Sequence, residues 1–308
     1  MKVVALAGGV GGAKLAHGLS LVLSPQDLTV VVNTGDDFQH LGLHISPDLD
    51  TVMYTLAGLA HPETGWGLAG ESWNFLEALE RLGGDTWFRL GDRDLATHIE
   101  RSHRLWGGAT LTEVTAALCA ALEVGPRILP MTDDVVQTRV QTSEGELDFQ
   151  EYFVRRQCRP RVTGFRFAGM ESATATGQVL EALASAELVV LCPSNPFVSL
   201  DPILSLPGIR EQLTPKPVIG VSPIIGGRAI KGPAAKMLAE LGLAVSSLAV
   251  AQHYRGLLRG FVMDTVDEAL SPEIREIGLR VLVTNTLMKT TADRARLAGE
   301  VLKFGISG

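Results

Sequence analysis

The sequence predicts an α/β fold in which a mainly parallel sheet is covered by helices on both faces. Short apolar runs, mostly rich in β-branched residues, alternate with segments that have helical periodicity. Turn residues bound these runs, as is typical of strands buried on both faces. Such alternation favours a parallel sheet between two helical layers. The predicted strands are Val3–Ala7, Leu28–Val32, Leu188–Leu191, Pro217–Val221 and Arg280–Val283.

Helical patterns fill the intervals between these strands. Their apolar residues recur at the spacing that places them on one face of a helix. The predicted helices are Ala13–Leu23, Asp48–Ala60, Glu71–Leu82, Leu95–Leu105, Thr112–Leu122, Gly177–Ser185, Ala234–Leu241 and Ala292–Lys303.

The middle of the chain departs from this alternation. Val135–Thr142 and Leu147–Val154 flank a polar turn, which predicts either a hairpin or a strand leading into a short helix. We expect this region to belong to an inserted, largely helical lobe of one α/β unit. The predicted unit is 1–308, with its core in 1–60 and 166–308 and its lobe at about 61–165.

Composition excludes several classes of protein. The chain has 308 residues, 46% of them hydrophobic and 20% charged, which excludes a disordered chain. A net charge of -7 argues against a general nucleic-acid binder. The three cysteines form no C-x-x-C pair, so a disulfide framework or a cysteine zinc site is not expected. No apolar run approaches the length of about 18 residues that a spanning helix needs. We therefore expect a soluble, cytoplasmic protein without a membrane or nucleic-acid partner.

A glycine-rich segment follows the first strand and opens the first helix. Glycines let a backbone approach an anion closely, and a helix N-terminus offers unpaired N–H groups. The candidate anion-binding residues are Gly9, Gly11, Gly12 and Lys14. The spacing matches neither the P-loop nor the dinucleotide-binding pattern, because Lys14 stands where the latter has its third glycine. The alternative is a tight strand-to-helix turn without a ligand.

Paired carboxylates follow the second strand. Asp36 and Asp37 lie where ligands bind in open parallel sheets, beyond the carboxyl end of a strand. Two adjacent carboxylates suit a hard metal ion, although a ribose contact or a solvated turn would also explain them. Further along, Ser46 is the expected N-cap of a helix that carries Asp48 and Asp50 in its first turn. Asp37 and Asp50 are the candidate Mg²⁺ ligands, whereas Asp48 could simply complement the helix dipole.

Other polar segments lie at helix starts and strand ends. In the segment from Leu90 to His98, Asp92 or Asp94 is a candidate helix cap and Arg93 a candidate phosphate contact. Two proline-stiffened loops follow later strands and contain Asn195 and Ser222. No nucleophile elbow or partnered histidine is present, so covalent catalysis is not predicted.

Taken in order, these motifs resemble those of the 2-phospho-L-lactate transferases. The matching stretches are LAGGVGGAKLAHGL, VNTGDD, SPDLDT, LGDRDLATH, MTDD, PSNPFVSL and VSPIIGG, which lie between residue 3 and about residue 300. The resemblance implies transfer of a phospholactyl or phosphoenolpyruvyl group from a GDP-activated donor to the deazaflavin Fo. The resemblance further implies that GMP is released and that the product belongs to the biosynthesis of coenzyme F(420). It likewise implies Mg²⁺ dependence, a Rossmann-like three-layer core and a homodimer.

The residues can be given roles in such a reaction. Gly9, Gly11, Gly12 and Lys14 would hold the donor diphosphate, while Asn195 and Ser222 would contact the nucleotide. Asp37 and Asp50 would hold Mg²⁺, and Asp36 or Asp48 would accept the hydroxyl proton or bind Fo. Two alternatives stay open. A related branch of non-catalytic nucleotide-binding regulators would bind a nucleotide without turnover, and an NAD-dependent oxidoreductase would bind NAD tightly.

One tryptophan could also stack on the deazaflavin ring, although core packing or an oligomer contact would explain most of them. The candidates are Trp66, Trp73, Trp87 and Trp106.

Overall fold

Seven parallel strands form the central sheet of the protein, whose computed structural model describes residues 1–307. Their order across the sheet is β14-β13-β10-β9-β1-β2-β5, with the bounds that follow. Within the described residues the strands are Val3–Ala7 (β1), Leu28–Val32 (β2), Phe38–His40 (β3), Leu43–Ile45 (β4), Arg127–Pro130 (β5), Gln137–Thr142 (β6), Gly145–Asp148 (β7), Val162–Ala168 (β8), Leu188–Leu191 (β9), Val218–Val221 (β10), Ile224–Ile225 (β11), Arg228–Ala229 (β12), Gly260–Asp264 (β13) and Arg280–Thr284 (β14).

Helices connect these strands and cover both faces of the sheet. Over the same residues they are Gly9–Val22 (α1), Pro47–Leu56 (α2), Asn74–Arg81 (α3), Asp92–Trp106 (α4), Leu111–Ala121 (α5), Gly177–Ser185 (α6), Asp201–Ser205 (α7), Ile209–Leu213 (α8), Ala234–Glu240 (α9), Ser247–His253 (α10), Ser271–Glu276 (α11) and Thr291–Ile306 (α12).

The predicted fold class is confirmed. β1, β2 and β9 have the predicted bounds, and β10 and β14 differ from the prediction by one residue at one end. β13 was not predicted, because its five residues Gly-Phe-Val-Met-Asp begin with glycine and end with aspartate. All five are nevertheless buried, as a strand inside a doubly covered sheet requires.

The core has two parts, one on each face of the sheet. Val4 and Leu6 of β1 pack into one hydrophobic cluster, whereas Val3, Ala5 and Ala7 pack into the other. Successive side chains of a strand point to opposite faces, so this division is the signature of a sheet covered on both sides.

The expected lobe at 61–165 is two segments and not one. The chain leaves the central sheet after β2, forms β3, β4 and the helices α2 to α5, and then returns as β5, the edge strand beside β2. Only afterwards do β6, β7 and β8 form a separate antiparallel sheet. The hairpin expected from 135 to 154 is present as β6 and β7, and a short helical turn, Glu151–Arg155, follows it.

The strand order places a ligand-binding crevice at β1 and β9. From β1 the chain progresses to β2 and β5 on one side, and the later strands extend from β9 on the other. Loops after β1 and β9 therefore diverge and open a crevice beyond the carboxyl ends of the strands. No helix among residues 1–307 has the length and apolar character that crossing a membrane requires.

Candidate functional site

A cavity of about 930 Å³ lies at the carboxyl ends of β1, β2, β9, β10 and β14. Its volume falls at the upper end of the range of roughly 300–1,000 Å³ for small-molecule sites. Among the predicted site residues, Gly12 and Asp37 do not line it. Those that do are Gly9, Gly11, Lys14, Asp36, Asp48, Asp50, Asn195 and Ser222.

The glycine-rich segment is the first turn of α1. The helix begins at Gly9 and not at the predicted Ala13, so these glycines lie inside the helix, and Gly9 and Gly11 line the cavity. A Cβ at Gly11 would collide with the Pro193 carbonyl oxygen, and one at Gly12 with the Ser194 hydroxyl. Gly12 is thus needed for the close packing of α1 against the loop after β9.

Asp48 binds the backbone at this helix start. Its Oδ1 accepts from the Gly9 N–H at 2.7 Å, and its Oδ2 accepts from the Asn33 side-chain amide at 2.9 Å. Burial raises the pKa of Asp48 to about 6, although these hydrogen bonds act in the opposite direction. A carboxyl group with this pKa can change its protonation near neutral pH.

Asp36 is the least satisfied carboxylate of the site. The side chain is buried, and its Oδ1 has no hydrogen-bond partner. Burial raises the pKa of Asp36 well above its usual value, and the charges of Asp48 and Asp37 raise it further. An uncompensated buried carboxylate needs a proton or a cation.

Asp37 does not line the cavity, and its Oδ1, like that of Asp36, has no hydrogen-bond partner. Its Oδ2 accepts from the Ser46 hydroxyl at 2.7 Å and lies 3.1 Å from His44 Nε2. Ser46 is the N-cap residue of α2, as predicted, but its side chain binds Asp37 and makes no capping bond. Burial raises the pKa of Asp37, against the opposing effects of His44 and Ser46.

Asp50 forms a buried ion pair with Arg101 of α4. Arg101 Nη1 donates to Asp50 Oδ2 at 3.0 Å, and Nη2 donates to Oδ1. Both side chains are almost fully buried, with exposed fractions of 2% for Arg101 and 7% for Asp50. Asp50 therefore already has a cation on both of its oxygens.

A polar network extends this pair along α4. Arg101 Nη1 lies 3.2 Å from His98 Nδ1, and because arginine only donates, Nδ1 must be the unprotonated nitrogen. The other ring nitrogen, Nε2, lies 3.4 Å from Asp94, which also accepts from the Tyr54 hydroxyl at 2.7 Å. Tyr54, His98 and Asp94 line the cavity beside Asp50.

The predicted capping of α4 by Asp92 or Asp94 is not observed: a residue that precedes α3 caps α4, and Asp92 of α4 caps α3. Glu71 accepts from the Arg93 and Asp94 N–H groups at the start of α4. Asp92 instead accepts from the Phe75 N–H, at the start of α3. Arg93 donates to the Ala69 carbonyl and does not line the cavity, so the proposed phosphate contact has no support here.

Cations and fixed loops line the side of the cavity next to α1. Burial lowers the pKa of Lys14, and the nearby charges of Arg294 and Lys231 lower it further. Lys231 donates to the carbonyl oxygens of Glu63 and Thr64, which line the same cavity. Asn195 and Ser222 both fix the turns that carry them. Asn195 accepts from the Phe197 N–H at 3.1 Å, and Ser222 from the Ile224 N–H at 3.1 Å.

An aromatic wall also lines the cavity. We define it as Trp66, Trp87, Phe88, Phe149 and Phe153. The first two of these were among the tryptophans considered for stacking. The other two lie elsewhere: Trp73 packs under the guanidinium of Arg89, and Trp106 is 70% exposed.

The cavity has carboxylate oxygens of the kind that Mg²⁺ prefers. Within residues 1–307, no group of three or more histidine, cysteine, aspartate or glutamate side chains could hold a metal ion. Mg²⁺ is usually held by one or two carboxylates together with water and substrate phosphates. Asp36, with its unpaired buried oxygen, meets that requirement better than Asp50, which is paired with Arg101.

Comparisons with known proteins identify the family. The sequence model described as 2-phospho-L-lactate transferase CofD matches residues 3–293. The chain belongs to this transferase family. A phosphoenolpyruvate transferase of Kitasatospora aureofaciens is 44% identical over 97% of both chains. A 2-phospho-L-lactate transferase of Methanosarcina acetivorans is 42% identical over 96% of both chains.

Solved structures show the same fold at low sequence identity. Protein BH3568 of Bacillus halodurans matches this transferase with a TM-score of 0.64 at 14% identity, over 98% of this chain and 99% of the other. Another structure of that protein, described as a member of the UPF0052 family, matches with a TM-score of 0.63.

Sequence reasoning missed the network behind Asp50. Arg101 lies on α4, 51 positions after Asp50, and nothing local marks it as buried. Its spacing from His98 and Asp94 was the available signal, because residues three, four and seven apart share a helix face.

Proposed function

We propose that the chain transfers a phospholactyl or phosphoenolpyruvyl group from a GDP-activated donor to the deazaflavin Fo, releasing GMP, in the biosynthesis of coenzyme F(420). The observation that carries this proposal is that one cavity combines a glycine-rich helix start, an uncompensated carboxylate and an aromatic wall. These features suit a charged donor and a flat acceptor at the same time. The relatives include a phosphoenolpyruvate transferase and a 2-phospho-L-lactate transferase, so they support a donor with either acid.

The donor diphosphate would bind at the start of α1. Val10 is the only residue with a side chain among the first four of α1, and this turn lies at the positive end of a helix of 14 residues. Lys14 and Lys231 place ammonium groups on the same cavity. The loops of Asn195 and Ser222 would then face the nucleoside.

Fo would bind against the aromatic wall. A deazaflavin ring is flat and apolar on both faces, so stacking on Trp66 or Trp87 would orient it. Trp66 is 53% exposed, although large aromatic side chains are usually buried. A ligand that covers this ring would remove apolar surface from water.

Asp36 and Asp48 would serve the reaction directly. The hydroxyl of Fo attacks the phosphorus that carries the lactyl or enolpyruvyl group, and GMP leaves. Asp36, with substrate phosphate oxygens, would hold Mg²⁺, which supplies charge neutralisation when bound. Asp48, whose pKa is raised to about 6, would accept the proton of the hydroxyl group. Asp36 is preferred as the metal ligand because it lines the cavity, whereas Asp37 does not line it and Asp50 is paired with Arg101.

The experiment is to incubate the purified protein with Fo, Mg²⁺ and each GDP-linked donor separately, with mass spectrometry of the products. Product and GMP with one donor would support the transferase and name its acid. Nucleotide binding without product would favour a regulator, and tight NAD binding without donor binding would favour an oxidoreductase.

Trp66→Ala tests the acceptor side of the proposal. Base-to-aromatic stacking contributes about 1–3 kcal/mol, so we expect the KM for Fo to rise roughly tenfold with little change in the KM for the donor. Trp106→Ala is the matched control, because Trp106 is exposed and does not line the cavity. Equal changes in the KM for Fo from the two substitutions would show that the aromatic wall is not part of the acceptor site.

A homodimer in the cytoplasm completes the proposal, on the strength of the family resemblance alone. Light scattering of the purified protein would give the mass of the assembly, to be compared with 32.9 kDa for one chain.

A further inference from the structure

One segment crosses from the edge of the sheet to the glycine turn. β14 is the edge strand, yet α12, which follows it, packs against α1. The connection from 285 to 290, which we call the crossing segment, therefore passes the carboxyl ends of β13 and β10. Thr286, Leu287 and Met288 of this segment line the cavity.

The end of β13 holds the crossing segment. Asp264, the last residue of β13, is only 4% exposed. Its Oδ2 accepts from the Thr286 N–H at 2.7 Å and from the Thr286 hydroxyl at 3.1 Å. Its Oδ1 accepts from the Val266 N–H at 3.1 Å, so both oxygens are used. Within residues 1–307, no residue of β13 itself lines the cavity.

The other end of the crossing segment is fixed as well. Asp293 in the first turn of α12 accepts from the N–H groups of Lys289 and Thr290. Arg296 donates to the Asn285 carbonyl at 2.6 Å. With both ends tied, the middle of the segment has a defined position.

That middle part binds Lys14. The Met288 carbonyl oxygen accepts from Lys14 Nζ at 3.2 Å. Lys14 has cationic neighbours, Arg294 and Lys231, which repel its ammonium group. The Met288 carbonyl is thus an attractive contact that holds the ammonium at the cavity edge.

We propose that Asp264 is a positioning residue for the donor phosphates, because it holds the crossing segment where the Met288 carbonyl aims Lys14 into the cavity. The inference rests on the proposed function, in which Lys14 binds the donor diphosphate. Asp264 touches no substrate and acts only through Thr286, Met288 and Lys14. The same arrangement predicts that donor affinity, and not acceptor affinity, depends on the end of β13.

The test is Asp264→Asn, with kinetics in which donor and Fo are varied separately. The amide can accept at only one position, so the N–H of Thr286 or of Val266 loses its partner. We expect the KM for the donor and the Kd for GDP to rise on the order of tenfold, with kcat and the KM for Fo changed less than about twofold. Thr286→Val removes only the hydroxyl and should give a smaller change in the same direction, which keeps the test open if Asp264→Asn folds poorly.

A double-mutant cycle with Lys14→Met separates positioning from general damage. If Asp264 acts through Lys14, the double variant should bind GDP no more weakly than Lys14→Met alone. Thr176→Ala is the matched control, since it removes the cap of α6 without touching the cavity. Fully additive losses, or an unchanged donor KM in both Asp264→Asn and Thr286→Val, would overturn the inference.

Failure of the proposed function would be seen differently. The unaltered protein would then form no product with either donor. Calorimetry with GDP as the probe would still compare the variants, so the role of Asp264 can be judged without turnover.

Discussion

Asp48 and Asp50 lie two residues apart in the first turn of α2, yet their surroundings are opposite. Both residues are buried. Asp48 has only neutral donors, the Gly9 N–H and the Asn33 amide, whereas Asp50 has the guanidinium of Arg101. A buried carboxylate that has its own cation is electrostatically complete, and one without a cation can still take up a proton or a ligand. The difference separates a supporting region from a reactive one.

The largest effect is expected when the ion pair of Asp50 and Arg101 is broken. Arg101→Met would leave the Asp50 charge buried and unpaired, which costs about 3–5 kcal/mol of the free energy of unfolding. Denaturant unfolding would measure it. Adding Asp50→Asn to Arg101→Met should recover part of the loss, because the stranded charge is removed. A loss in Arg101→Met below about 1 kcal/mol, the level of an exposed ion pair, would contradict the comparison.

The second largest effect is expected for a substitution of Asp36, and it concerns the turnover rate. Asp36→Asn removes an uncompensated buried charge, so we expect the free energy of unfolding to stay the same or to rise. We expect kcat to fall by a factor on the order of a hundred or more, since charge neutralisation at the phosphates is lost. Paired unfolding and single-turnover measurements would check both statements. Active Asp36→Asn protein would remove Asp36 from the metal site.

A third prediction concerns pH. The pKa of Asp48 is raised from 3.8 to about 6 on folding, so the folded state binds this proton more tightly than the unfolded state. Stability should therefore fall as the pH rises from about 4 to about 6. Asp48→Asn should flatten that part of the profile, measured by denaturant unfolding at a series of pH values. Parallel profiles for the two proteins would show that Asp48 does not carry the shift.

The smallest effect tests the outer part of the network on α4. Tyr54→Phe removes the hydroxyl that donates to Asp94 at 2.7 Å, and a hydrogen bond to a charged group contributes about 1.5–3 kcal/mol. We expect a stability loss at the low end of this range, because Asp94 keeps His98 as a neighbour. Thermal unfolding of the single variant would measure it. A loss as large as that of Arg101→Met would mean that the network, and not the ion pair alone, holds Asp50.

Much of the fold could be predicted because its signals are local. Continuous apolar runs indicate the buried strands, and the predicted first and last residues of β1, β2 and β9 were correct. β13 was not predicted, because glycine and aspartate, which lie at its ends, are residues typical of turns. The return of the chain as β5 could not be predicted, because pairing with β2 is a choice among sheet edges.

Eight of the ten candidate site residues line the cavity, but their contacts were not predicted. Asp36, Asp48 and Lys14 stood out because they follow strands or open helices. Arg101 and Asp264 did not, because their roles come from partners far away in sequence.

The sequence by itself determined the fold class, the glycine turn and the presence of carboxylates at the strand ends. These follow from side-chain periodicity and backbone freedom, which act over a few residues. Only the tertiary structure decided that Asp50 meets Arg101, that Asp36 has an unpaired oxygen and that Asp264 holds the crossing segment. The physical reason is that the state of a buried charge depends on which groups folding brings within a few ångströms of it.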